Sequence, residues 1–95
     1  MILREISAGK ISGTGTLTIG RNMTVGGIVI SADGTNNAAV VLRVLNVTGD
    51  IKFDMTTKNS LSVFAPIYIG NSTVYYSITG TGATAELYEW IFSEK

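Results

Sequence analysis

The chain is predicted to be all-β: a single antiparallel β-sandwich, jelly-roll-like, of about eight short strands. Three observations carry this. Thr, Val and Ile dominate, and β-branched side chains favour a pleated, half-buried surface. Gly and Asn interrupt them roughly every eight to twelve residues, the turn spacing of sandwiches and barrels. No segment keeps a helical period, whereas several alternate in the period of a strand.

Taken in order, Ile2 to Ile6 reads as a strand. Gly9 to Gly20 holds Gly9, Gly13, Gly15 and Gly20 among Ser and Thr. It is either a bulged hairpin or an arm that orders on a neighbour, so residues 1–20 form a strand or arm within one domain spanning 1–95. Gly26-Gly27, ahead of Ile28 and Ile30, predicts a bulge or a close backbone approach. Asp33 to Asn37 is a turn. Ala38 to Leu45 is nearly continuous apolar sequence, with Val40, Leu42 and Val44 on one face and Ala39, Val41, Arg43 and Leu45 on the other. Such a strand is central, or its outer face lies against a partner. After a turn at Thr48-Gly49-Asp50, Ile51, Phe53 and Met55 alternate with Asp50, Lys52 and Asp54, a strand with one wet side. Pro66 lacks an N–H and marks a strand start or an edge. Ser72 to Thr79 alternates again, between Gly70-Asn71 and Gly80-Thr81-Gly82, which have hairpin chemistry. The expected core is Ile28, Ile30, Val40, Leu42, Val44, Ile51, Phe53, Met55, Leu61, Val63, Ile67, Ile69, Val74, Tyr76, Ile78 and Leu87.

Composition narrows the function classes. A domain of 95 residues buries a limited share of its apolar surface, and small domains lean on disulfides, metals or association. There is no Cys for a disulfide or thiolate site, and no His, the commonest general base and transition-metal ligand. Association remains. Seven basic and seven acidic residues cancel, and only 15% of the chain is charged, while mean hydropathy is +0.33. A small neutral protein of this kind tends to self-associate. Met1 to Glu5 lacks the apolar run of a signal peptide, and no stretch approaches the length of a spanning helix. The expectation is a protein made and assembled in a cytosol, without membrane contact.

The chemistry-bearing motifs read as structure. Gly80-Thr81-Gly82 and Gly13-Thr14-Gly15 lack the following helix and Lys-Ser/Thr pair of a phosphate loop. Asp33 to Asn37 has too few carboxylates for a calcium loop. Asp50 and Asp54 share a strand face but stand about 13 Å apart, too far for paired glycosidase carboxylates. No Ser or Thr has a base beside it in a recognisable motif, so no enzyme activity, catalytic residue, cofactor or metal is expected. Arg4, Lys10, Arg21, Arg43, Lys52, Lys58 and Lys95 are scattered, which argues against nucleic acid. Tyr75, Tyr88 and Trp90 are candidate surface anchors, since Tyr and Trp are enriched at interface hot spots.

Three runs bear a family resemblance: Asn36-Asn37-Ala38-Ala39-Val40-Val41-Leu42, Ala65-Pro66-Ile67-Tyr68-Ile69-Gly70-Asn71, and Val74 through Ala85 with its Ile78-Thr79-Gly80-Thr81-Gly82-Ala83. With Gly27-Ile28-Val29-Ile30, the stretch from Gly20 to Tyr88 resembles the small β-sandwich virion proteins of tailed bacteriophages. Arg43 to Gly49 departs from the Gly-rich loop such relatives carry there, so nothing is transferred to it. The resemblance implies a capsid decoration or cement protein at the capsid surface, assembled in the host cytoplasm. Its expected partners are itself, as a dimer or trimer, and the major capsid protein, whose head it would stabilise. The expected contacts are the chain ends: Ile2, Leu3 and Ile6 on a strand that could add to a neighbour, and Tyr88, Trp90, Ile91 and Phe92 as apolar anchors. Two rivals stand beside this reading. One is a neck or tail fitting of the same fold. The other is a carbohydrate-binding module, which would show two or three aromatics on one sheet face.

Overall fold

The computed structural model describes residues 2–91, and among them it has nine strands and no helix. In chain order these are β1 (Ile2–Glu5), β2 (Gly13–Thr18), β3 (Thr24–Ser31), β4 (Ala38–Val44), β5 (Ile51–Thr57), β6 (Leu61–Val63), β7 (Ile67–Tyr68), β8 (Thr73–Thr79) and β9 (Thr84–Ile91). The larger sheet has the order β1-β9-β3-β6, with β7 also on β3; the smaller sheet is β2-β8-β4-β5. Every pairing is antiparallel. Both β6 and β7 pair with β3, at Ile28–Ile30 and at Thr24–Val25. They are one edge strand broken at Phe64-Ala65-Pro66, which leaves eight strands in effect. Pro66 precedes Ile67, the first residue of β7, as its missing N–H demands.

The pairs nest: β1 with β9, β2 with β8, β3 with β6 and β7, β4 with β5, alternating between the sheets. This is a long antiparallel ribbon rolled over itself, the jelly roll. Its ends meet at β1 and β9, and its tip is the turn between β4 and β5. Within residues 2–20, both strands pair inside the chain. β1 completes the chain's own larger sheet, and β2 pairs with β8 from Gly13↔Ile78 to Thr18↔Thr73. The hairpin reading of Gly70-Asn71 and Gly80-Thr81-Gly82 is corrected. Both are turns, but each carries the chain from one sheet to the other. Positive φ at Gly70, Gly80 and Gly82 permits the reversal; it does not decide whether the strands lie side by side or face to face.

The core lies between the sheets. Ile28, Ile30, Val40, Leu42, Ile69, Val74, Ile78 and Leu87 are buried as expected, with Val44, Phe53, Met55, Val63, Ile67 and Tyr76 packed against them. Met23, Val25, Ala38, Ala83 and Ala85 also belong to it. Two expected core residues do not. Ile51 is 49% exposed, because a bulge pairs Leu42 with Phe53 but Arg43 with Ile51, skipping Lys52. The skip turns Ile51 to the outer face beside Arg43. Leu61 pairs with Ile30 on the core side, yet it lies on the edge strand β6 and stays 41% exposed. Leu45 lies just past the end of β4 with φ 70°, its N–H still bonded to the Thr73 carbonyl at 3.0 Å.

Candidate functional site

On β9, Ala85, Leu87 and Glu89 point inward and are buried, so Glu86, Tyr88 and Trp90 line the outer face of the larger sheet. Leu3 stands directly across from Trp90 and Glu5 across from Tyr88. On the other side of β9 lies β3, whose register slips between Val25 and Gly27, leaving Gly26 as the extra residue of a bulge. The two glycines form the floor of this face. A Cβ on Gly26 would lie 2.6 Å from the Trp90 Cβ and 2.8 Å from the Leu3 Cδ2. A Cβ on Gly27 would lie 3.2 Å from the ring of Phe64 and 3.4 Å from the Tyr88 Cβ. The absence of side chains at Gly26 and Gly27 lets Leu3, Trp90, Tyr88 and Phe64 settle over the β3 backbone as one apolar surface. Phe64 is 60% exposed. The carboxylate of Glu86, then desolvation and Glu5, raise the Tyr88 phenol above its ordinary value of 10.0, so it is an uncharged donor at neutral pH.

A cleft of about 400 Å³ opens where this face meets the loop between β2 and β3, lined by Arg21, Asn22, Thr24, Tyr68, Glu89, Trp90 and Ile91. Glu89 occupies the last inward position of β9 before Ile91. Its side chain is 4% exposed, and Arg21, half open to solvent, covers it. The pair is bidentate: Arg21 Nε donates to Oε2 at 3.0 Å and Nη2 to Oε1 at 2.6 Å. Two parallel bonds fix the guanidinium plane as well as its position. Tyr68, opposite Thr24 in the pairing of β3 with β7, lays its ring against Gly70 and is 64% exposed. Among the described residues, no three Asp, Glu, His or Cys side chains gather as metal ligands would.

The residues expected to make contacts divide by face. Leu3, Tyr88 and Trp90 share the outer face of the larger sheet. Ile2 and Ile91 pair with each other on the opposite side and are half-buried. Ile6 packs against the core, with its N–H bonded to the Leu87 carbonyl at 2.9 Å. Phe92 lies outside the described residues. Tyr75 is half-buried on β8, in the other sheet.

No signal in the sequence marks Arg21, Asn22, Thr24 or Phe64 as site residues, and Tyr68 stands out there only as one aromatic among several. For Glu89 a signal was present: Ala85 and Leu87 set the inward parity of the strand, and two residues on, the same parity delivers a carboxylate. A charged residue at a core-facing position needs a partner. Nothing local to Arg21 says that it is that partner.

A second exposed apolar group, Leu45, Val47 and Ile51, sits at the β4–β5 tip. Bonds from Thr48 to the Asn46 side chain and from Arg43 Nη1 to the Gly49 carbonyl hold the tip in shape. Comparison with protein-family models, with curated proteins and with solved structures finds no match to this chain.

Proposed function

We propose that this protein is a non-enzymatic structural subunit of a tailed-phage particle, a decoration or cement protein that associates with itself and with the major capsid protein. The observation that supports the reading best is the outer face of the larger sheet. Leu3, Phe64, Tyr88 and Trp90 form an apolar surface over a glycine floor. Leu3, Tyr88 and Trp90 stand on paired strands and Phe64 in the break between β6 and β7, and a face carried mostly by paired strands suits rigid docking. Its aromatic content is that of an interface centre, and its rim carries Glu5 and Glu86. The chain's neutrality and small size fit a subunit stabilised by association. Many copies on one particle would turn weak individual contacts into firm retention.

The test is copy number in purified particles, by quantitative mass spectrometry. Copies comparable in number to the major capsid protein support the shell role. A handful, as in one symmetric ring, assigns the protein to the neck or tail instead. Absence from particles removes the virion reading. Trp90→Ala is expected to weaken self-association and capsid binding more than folding, compared by sedimentation velocity and thermal melting. Equal losses in both would count against the docking face.

A further inference from the structure

Beyond that structural role, and independent of it, we infer that the cleft lined by Arg21, Asn22, Thr24, Tyr68, Glu89 and Trp90 is a binding site for a neutral sugar, a single hexopyranose or the end of a short glycan. The argument starts from the ion pair. Glu89 is buried and Arg21 spends Nε and one N–H of Nη2 on it. The remaining N–H groups, on Nη1 and the outer side of Nη2, bond no described residue, and with the side chain half exposed they offer a donor edge to a ligand. Held by a buried carboxylate, this edge pays little conformational entropy when it binds.

The charge of the pair is about zero, so the cleft has no strong attraction for an anion. What it offers is a mixed set of donors and acceptors: the Arg21 edge, both ends of the Asn22 amide and the Thr24 hydroxyl. Sugar hydroxyls each donate and accept, and such a mixed set answers them where a purely cationic cleft would not. Tyr68 and Trp90 supply the apolar part of the wall. The negative face of an aromatic ring attracts the slightly positive C–H face of a pyranose. Tyr68 is exposed and its ring is backed by Gly70, so it is available for such stacking at little cost in ordering. The volume of about 400 Å³ falls in the range of small-ligand sites and holds a monosaccharide with room for a glycosidic link.

The experiment is a titration of the ¹⁵N-labelled full chain with methyl glycosides of glucose, galactose, mannose and N-acetylglucosamine, and with methyl glucuronide as the anionic control, followed by amide chemical shifts. The expected result is saturable shifts at Asn22, Thr24, Tyr68 and Trp90 with at least one neutral glycoside. Tyr68→Ala, at an exposed position, is expected to weaken that binding by roughly five- to tenfold, the worth of one stacking contact. Arg21→Ala should abolish it, but this variant leaves Glu89 buried without a partner; Asn22→Ala, which leaves the ion pair intact, is the companion variant and should weaken binding in a folded protein. No saturable shift with any neutral glycoside, shifts elsewhere on the molecule, a response to the glucuronide alone, or affinity unchanged in both Tyr68→Ala and Asn22→Ala would each overturn the proposal.

Discussion

Gly26 shows how one residue type serves two purposes. As the extra residue of the bulge it lets β3 change register against β9, and as a residue without Cβ it lets Trp90 and Leu3 approach its backbone. Gly26→Ala places a methyl group 2.6 Å from the Trp90 Cβ, on a side chain anchored in the neighbouring strand, so either the strand or the ring must shift. The expected loss is about 1–3 kcal/mol, the cost of overpacking, measured by urea denaturation. Asp33 is an electrostatic case. Its carboxylate accepts from the Thr35 N–H at 2.8 Å, the Asn36 N–H at 2.7 Å and the Asn36 amide at 2.7 Å. These bonds, led by the Asn36 N–H, lower its pKa below the ordinary 3.8. The folded state therefore holds on to the ionised form longer than the unfolded chain does. Its stabilising contribution is complete above the unfolded value and is lost as pH falls through the lowered folded one. Thermal melts from pH 6 down to about pH 2 should show Asp33→Asn losing less stability in acid than the parent; an identical slope would contradict the assignment.

At the scale of the element, the bulge in β5 decides which side chains the smaller sheet buries. Strict alternation puts Ile51, Phe53 and Met55 on one face, but skipping Lys52 in the pairing sends Ile51 outward while Phe53 and Met55 stay against the core. Ile51→Thr should then change stability by no more than about 0.5 kcal/mol, as surface substitutions do. Phe53→Ala should cost about 2 kcal/mol or more, since its ring packs on the core. Comparable losses from the two, in the same denaturant series, would show that the strand keeps its regular register. The two bulges differed in legibility. Gly26-Gly27 announces the first, because paired glycines inside an apolar strand bury no side chain of their own and mark a bulge or a close backbone approach. Lys52 announces nothing: the second bulge follows from how the β4–β5 turn closes, with Leu45 in the left-handed region and Val44 N–H bonded to the Asp50 carbonyl at 3.0 Å.

Across the whole molecule, the nested pairing makes the closest neighbours in space distant in sequence. β1 pairs with β9 and β2 with β8, so both ends of the chain must be brought together before either sheet is complete. Each such pairing requires closure of a long loop before its contacts form, which slows folding. Relaxation in stopped-flow refolding is expected in the range of roughly milliseconds to seconds. Microsecond folding would be inconsistent with a jelly roll closed by its termini. The same closure builds the apolar outer face, where Leu3 from the first strand meets Trp90 from the last across a single pair of the ladder. The candidate site is distributed in the same way, since Arg21 and Glu89 lie 68 residues apart in the chain.

The fold class is written in local sequence signals. The alternation at Ser72 to Thr79, the turn residues and the Gly26-Gly27 interruption are local signals, and local signals suffice for strands, turns and most of the core. Tertiary structure alone decided three other things. It made Gly70-Asn71 and Gly80-Thr81-Gly82 crossings between sheets, because a turn sets the direction of the chain and not the partner of the next strand. It moved Ile51 outward, because register belongs to a pair of strands and not to either one. And it placed Arg21 over Glu89, because a buried carboxylate at an inward position requires a cation without specifying from which part of the chain it comes.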